Sequence, residues 1–228
     1  MSEKDYANVV RNVLHKEKDV YSWIYEKVGE VGANNSVLVE DVLKTLSFIL
    51  KSDQNTGKSL AVAYEYLAQM VVENAKFASE IFKTFQVTLL SDQNTYLSIL
   101  AACEALKKLL QESPEYANQI FDTFKKALKS EKSNSYSLSW SYQILRTILM
   151  EMPEFAPAVF ETYRFSIREC ANNPESLTWL YRNLKEIMVA KPQIKNQVME
   201  IYQMAVDSDK NNEYSIEFSK KILDERCS

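Results

Sequence analysis

One spacing, 39 residues, recurs through most of this 228-residue chain and constrains its fold more than any other feature. Ile81-Phe82-Lys83-Thr84-Phe85 lines up with Ile120-Phe121-Asp122-Thr123-Phe124, then with Val159-Phe160-Glu161-Thr162-Tyr163 and Val198-Met199-Glu200-Ile201-Tyr202. One step upstream stands Val42-Leu43-Lys44-Thr45-Leu46. Leu67, Leu106, Leu145, Leu184 and Leu223 keep the same step, as do Pro114, Pro153 and Pro192. A further column reads Tyr25, Tyr64, Cys103, Tyr142, Tyr181, and another reads Trp23, Val62, Ala101, Trp140, Trp179, Phe218. The polar pentapeptide SDQNT occurs at 52–56 and again at 91–95, one step apart. Chance does not hold one period across so many positions, so each period is one supersecondary unit in an array.

Within a unit the apolar spacing is helical. Leu138, Ser141, Tyr142, Leu145, Ile148 and Leu149 follow i, i+3, i+4, i+7, with Trp140 and Ile144 as a flanking stripe. Phe121, Phe124, Ala127 and Leu128 do the same on the next segment. Each repeated proline opens that second pattern beside an acidic or polar neighbour, which suits a helix's first turn. The joints SDQNT, SEKSNS and ANNPES supply Ser, Thr, Asp and Asn for N-caps. Only three glycines and five prolines are present, too few for the tight turns of a sheet-rich fold.

The pattern predicts about twelve helices in six antiparallel pairs, near residues 4–14, 17–32, 37–51, 57–74, 76–91, 96–112, 115–130, 136–151, 154–171, 175–190, 192–207 and 213–226. One pair cannot bury its apolar faces alone, so the pairs stack and share a continuous core. The expected organisation is a single all-α domain over 1–228. Residues 1–35 form a degenerate N-terminal cap unit, 36–212 the regular repeats, and 213–228 a C-terminal capping helix.

At this point the chain resembles the HEAT-type α-solenoids, whose helix pairs recur at about this length. The resemblance covers residues from about 17 to 224 and implies a right-handed α-solenoid. The family carries an acid near the joint, and here that place reads Asp53, Asp92, Glu131, Cys170 and Asp209. The basic residue the family places about six positions later is replaced by Ser59, Ser98, Ser137, Ser176 and Ser215. A serine there reads as a helix-start signal. A tetratricopeptide array fits less well, because its period is 34 residues.

Composition narrows the chemistry. The net charge of −4 argues against bulk binding to nucleic acid or anionic membrane. The N-terminus opens with charge and no apolar leader follows it, and no run approaches the length of a membrane span. Cys103, Cys170 and Cys227 are odd in number, far apart and without a CxxC, which points to free thiols in a reducing, cytoplasmic setting. Gly57-Lys58-Ser59 imitates the end of a phosphate loop, but the first glycine of that motif would fall on Ser52. His15 is the only histidine and sits in the polar run His15-Lys16-Glu17-Lys18-Asp19, where a solvated loop residue is the simpler reading. No metal or cofactor is expected. The aromatic residues recur on apolar stripes and read as packing.

One polar pattern keeps the period. Lys107, Arg146 and Lys185 stand 39 apart, and Glu65, Glu104, Gln143, Arg182 and Lys221 turn from acidic to basic along the array. Lys108 and Lys220 add to the basic side. These residues lie on the leucine-rich helices, which the resemblance places on the inner, concave surface. The expected partner site is therefore Lys107, Lys108, Arg146, Arg182, Lys185 and Lys221, holding an acidic peptide or helix. A simpler reading is a solvated charged face partly neutralised by a Glu104–Lys108 pair at i, i+4. The expected function is a non-catalytic protein-binding scaffold. The alternative is a HEAT-like DNA glycosylase acting on alkylated bases, with Trp140, Trp179, Arg146, Arg182 and Glu186 near the lesion. Self-association through apolar end faces is a third possibility.

Overall fold

The computed structural model describes residues 20–52, 55–90, 96–130, 133–170, 174–208 and 213–224. The described residues are helical, with no strand among them. The α-helices are α1 (Val20–Asn34), α2 (Val39–Ile49), α3 (Gly57–Glu73), α4 (Ala78–Leu89), α5 (Tyr96–Glu112), α6 (Ala117–Lys129), α7 (Ser135–Glu151), α8 (Ala156–Glu169), α9 (Pro174–Ala190), α10 (Lys195–Asp207) and α11 (Glu213–Asp224). The helix expected over 4–14, and His15 and Cys227, lie outside the described residues. The chain divides into two compact units, Met1–Phe85 and Gln86–Ser228, with the boundary inside α4.

In the first unit α1 packs against both α2 and α3. Two of the chain's three glycines, Gly29 and Gly32, lie in α1 and permit this approach. A Cβ on Gly29 would stand 2.3 Å from Cγ of Tyr66 on α3. At Gly32 it would meet the Met70 and Val42 side chains at 2.7 and 2.8 Å. The end of α1 is closed by Asn74, whose buried amide donates to the carbonyls of Gly32 and Ala33. The joint between α2 and α3 is fastened by a side chain from α1: the Tyr25 hydroxyl donates to Asn55 Oδ1 at 2.8 Å. The Asn55 amide in turn donates to the carbonyls of Ile49 and Ser52.

In the second unit alternate helices pack side by side. α5 packs on α7 and α7 on α9, while α6 packs on α8 and α8 on α10; α11 covers α10 and touches α9. The repeat columns are the seams of this packing. Leu106, Leu145 and Leu184 have no exposed surface, nor do Ile120, Val159 and Val198. Rings 21 residues apart meet within a repeat, Tyr142 with Tyr163 and Tyr181 with Tyr202.

The serine column has more than a local role. Ser59, Ser98, Ser137 and Ser176 are all buried, each at the third position of its helix. Ser59 completes a reciprocal cap with Thr56, and Asn134 accepts from the Ser137 N–H. Ser176 also bonds across the stack: its hydroxyl donates to the Leu128 carbonyl, leaving its oxygen to accept from the Tyr142 hydroxyl at 3.0 Å. Cys103 stands where Tyr142 stands one repeat later. Ser137, the counterpart of Ser176, has a buried hydroxyl with no hydrogen-bond partner among the described residues. Tyr25 and Tyr142 thus bolt their repeats to the next joint, and Cys103 is too short to do the same.

The repeated prolines behave differently from expectation. Pro114, Pro153 and Pro192 each open a three-residue 3₁₀ turn, and the α-helix begins only at Ala117, Ala156 and Lys195. Ala75–Phe77 makes the same turn without proline, closed by the Phe77 N–H on the Asn74 carbonyl. The corner is therefore a property of the repeat, which proline favours by fixing its φ. Lys191 sits where Asn74 sits three repeats earlier and does a parallel job, donating to the Leu149 and Met150 carbonyls at the end of α7. A cation suits that position, where the helix dipole is negative.

Two stability outcomes follow from this packing. Leu145→Ala should cost about 2–5 kcal/mol in chemical unfolding, the range for a buried leucine; a loss below about 1 kcal/mol would mean Leu145 is not core. Gly29→Ala should destabilise, although glycine to alanine inside a helix ordinarily gains about 0.5–1 kcal/mol. A gain in Tm would show that α1 and α3 do not approach as described.

Candidate interaction surface

The second unit has two helix layers with different outsides. Its described large apolar side chains with high exposure are Tyr96 (44%), Leu97 (45%), Tyr136 (51%) and Val189 (78%), and all four lie on α5, α7 or α9. None lies on α6, α8 or α10. The outside of α6 carries Asn118, Gln119, Asp122, Lys126 and Lys129 instead. Contiguous exposed apolar surface is what distinguishes interaction sites from ordinary scattered hydrophobes.

Three of the rings form a shelf at the N-terminal ends of α5 and α7. Tyr96 meets Tyr136 edge-on at 6.0 Å between centroids and Trp140 at 5.3 Å. Tyr136 and Trp140 lie one turn apart on α7. One helix further on, Trp179 is half-buried and carries the Arg182 guanidinium 5.0 Å from its ring centre. A cation over a tryptophan face is held electrostatically while its edge stays open to bonding. Trp140 packs on Tyr96 of the neighbouring repeat, as a packing residue should, and both Trp140 and Trp179 are half-buried at the margin of the core. Tyr96 and Tyr136 were not foreseen as surface features. The available signal was their place in the first turn of a helix, off the buried stripe.

The cations of the 39-residue row lie on the same three helices. Lys107 on α5 is 3.5 Å from Glu104 on its own helix and 3.5 Å from Glu151 on α7. Arg146 on α7 pairs with Glu186 on α9. Glu151 and Glu186 are each about half exposed, so these pairs are screened. Lys185 is exposed, with no ion pair among the described residues. Lys108 is exposed on α5, and Lys221 is exposed in the last turn of α11. The structure thus brings Lys107, Arg146, Arg182 and Lys185 onto adjacent helices and sets Lys221 on the helix beside α9. Glu104, expected to neutralise Lys108 at i, i+4, lies 3.5 Å from Lys107 at i, i+3, and carboxylates from the next helix in the layer add to it.

Elsewhere the chemistry is closed. Ser59, the last residue of the phosphate-loop imitation, is buried and committed to the cap of α3. Cys103 and Cys170 are free and buried. Burial pushes both thiols up, Cys170 to about 11, so they are held as neutral thiols rather than as nucleophilic thiolates. Burial likewise pushes the Tyr142 and Tyr163 hydroxyls up. Among the described residues no group of three or more His, Cys, Asp or Glu side chains is placed to hold a metal ion. No helix of the described residues is long and apolar enough to cross a membrane. Comparison with known protein families, with curated proteins and with solved structures found no match to this chain.

Proposed function

We propose that the chain is a non-catalytic scaffold that binds another protein, built as a right-handed, HEAT-like α-solenoid of about six antiparallel helix pairs and working in the cytoplasm. The layer of α5, α7 and α9 is its concave surface and holds a peptide or helix with an acidic segment. One observation carries the reading: the described exposed large apolar side chains of the second unit are confined to that layer, beside the cations Lys107, Arg146, Arg182 and Lys185. The 39-residue period and the packing of alternate helices support the solenoid, an architecture whose repeats build extended surfaces.

Affinity capture from cell extract with wild type and with the charge-reversed variant Lys107→Glu/Arg146→Glu/Lys185→Glu tests this reading. A partner should be lost, or its salt dependence flattened, in a variant whose circular dichroism is unchanged. Equal capture by both proteins would move the site to α6, α8 and α10 or to the ends. Release of bases from alkylated duplex DNA by the purified chain would favour the glycosylase reading instead.

A further inference from the structure

We infer that the shelf of Tyr96, Tyr136 and Trp140 and the cations beside it read a short extended peptide in which an aromatic or aliphatic anchor precedes or follows an acidic residue by about four positions. This deepens the scaffold reading and rests on it. The spacing comes from helix geometry. Trp140 and Arg146 lie six residues apart on α7, and Trp179 and Lys185 lie six apart on α9. At 1.5 Å and about 100° per residue, each pair is about 9 Å apart along the helix axis and about 120° apart around it, so the side chains stand roughly 13 Å from one another. An extended peptide covers that distance in about four residues at roughly 3.3 Å each.

Charge selects the rest of the ligand. Two exposed cations flank the apolar surface of α9, Arg182 over Trp179 and Lys185 without an ion pair among the described residues. They discourage a cationic ligand and favour a carboxylate. Lys107 and Arg146 already hold the carboxylates of Glu151 and Glu186, which shows that this geometry accepts an acid between neighbouring helices. Both pairs are solvent-exposed on the acidic side, so an incoming carboxylate exchanges with them at little cost. The aromatic side chains supply rigid apolar contact area, which anchors a peptide without ordering long flexible chains.

The test is selection of random linear peptides displayed on phage against the full chain, followed by binding of a synthetic consensus peptide. Enriched peptides should share an apolar anchor and an Asp or Glu about four residues away. The consensus peptide should lose about fivefold or more in affinity with Tyr136→Ser and, separately, with Lys185→Gln. Both positions are exposed, so the variants keep the fold, and circular dichroism checks this. Enriched peptides without acids, or affinities unmoved by both variants, overturn the inference while leaving a peptide-binding scaffold. Absence of any enrichment overturns the scaffold reading itself. Retention of single-stranded oligonucleotide in place of acidic peptide also overturns the inference.

Discussion

Burial shared between alternate helices is the constraint on which the rest of this structure depends. No helix here has a core of its own. Leu106, Leu145 and Leu184 are each fully buried because a neighbour one repeat away closes over them. At about 25 cal/mol per Å² of apolar surface removed from water, these seams supply the main driving force for stacking. Leu223, on the last described helix, keeps the column position but is only half-buried. The polar bolts add specificity to this burial. The Tyr142 hydroxyl, bonded to Ser176 of the next joint, fixes the offset between those two repeats, which a purely apolar seam would leave freer to slide.

The same constraint decides what is left over. Seams consume one stripe of each helix and the flank that meets its neighbours, so function is confined to the outward stripe. On α6, α8 and α10 that stripe holds no highly exposed large apolar side chain among the described residues, and the half-buried Phe165 ring lies under Lys125. On α5, α7 and α9 it holds Tyr96, Leu97, Tyr136, half-buried Trp140 and Trp179, and the paired and unpaired cations. Packing does not explain Tyr136, which is about half exposed, and solubility does not favour it. The proposed ligand would cover it.

Much of the fold was legible because the period and the helical spacing are local arithmetic. The breaks near 57, 96, 135 and 174 follow from the polar joints and are found within a residue of the expected places. The starts of α4, α6, α8 and α10 were misplaced by two or three residues. Proline announces a first turn but does not say whether that turn is α or 3₁₀, and the non-proline corner at Ala75 shows that the geometry belongs to the joint. The serine column was read as a local helix start. Its bond from Tyr142, 34 residues earlier, needs the stacked partner to be known. The same holds for Glu151 and Glu186, which lie 44 and 40 residues beyond the cations they meet. Exposure of the aromatic shelf was the least legible feature, since a ring on a flanking stripe is covered or bare according to how far its neighbour reaches.

Site-specific photo-crosslinking tests the central claim most directly. A photoreactive residue is placed at Tyr136 on the aromatic shelf or at Lys126 on the outside of α6, and the chain is illuminated in cells. The account predicts a discrete heavier adduct from position 136 and none from position 126. Adducts from 126 alone, or equal adducts from both, would contradict the assignment of binding to the layer of α5, α7 and α9.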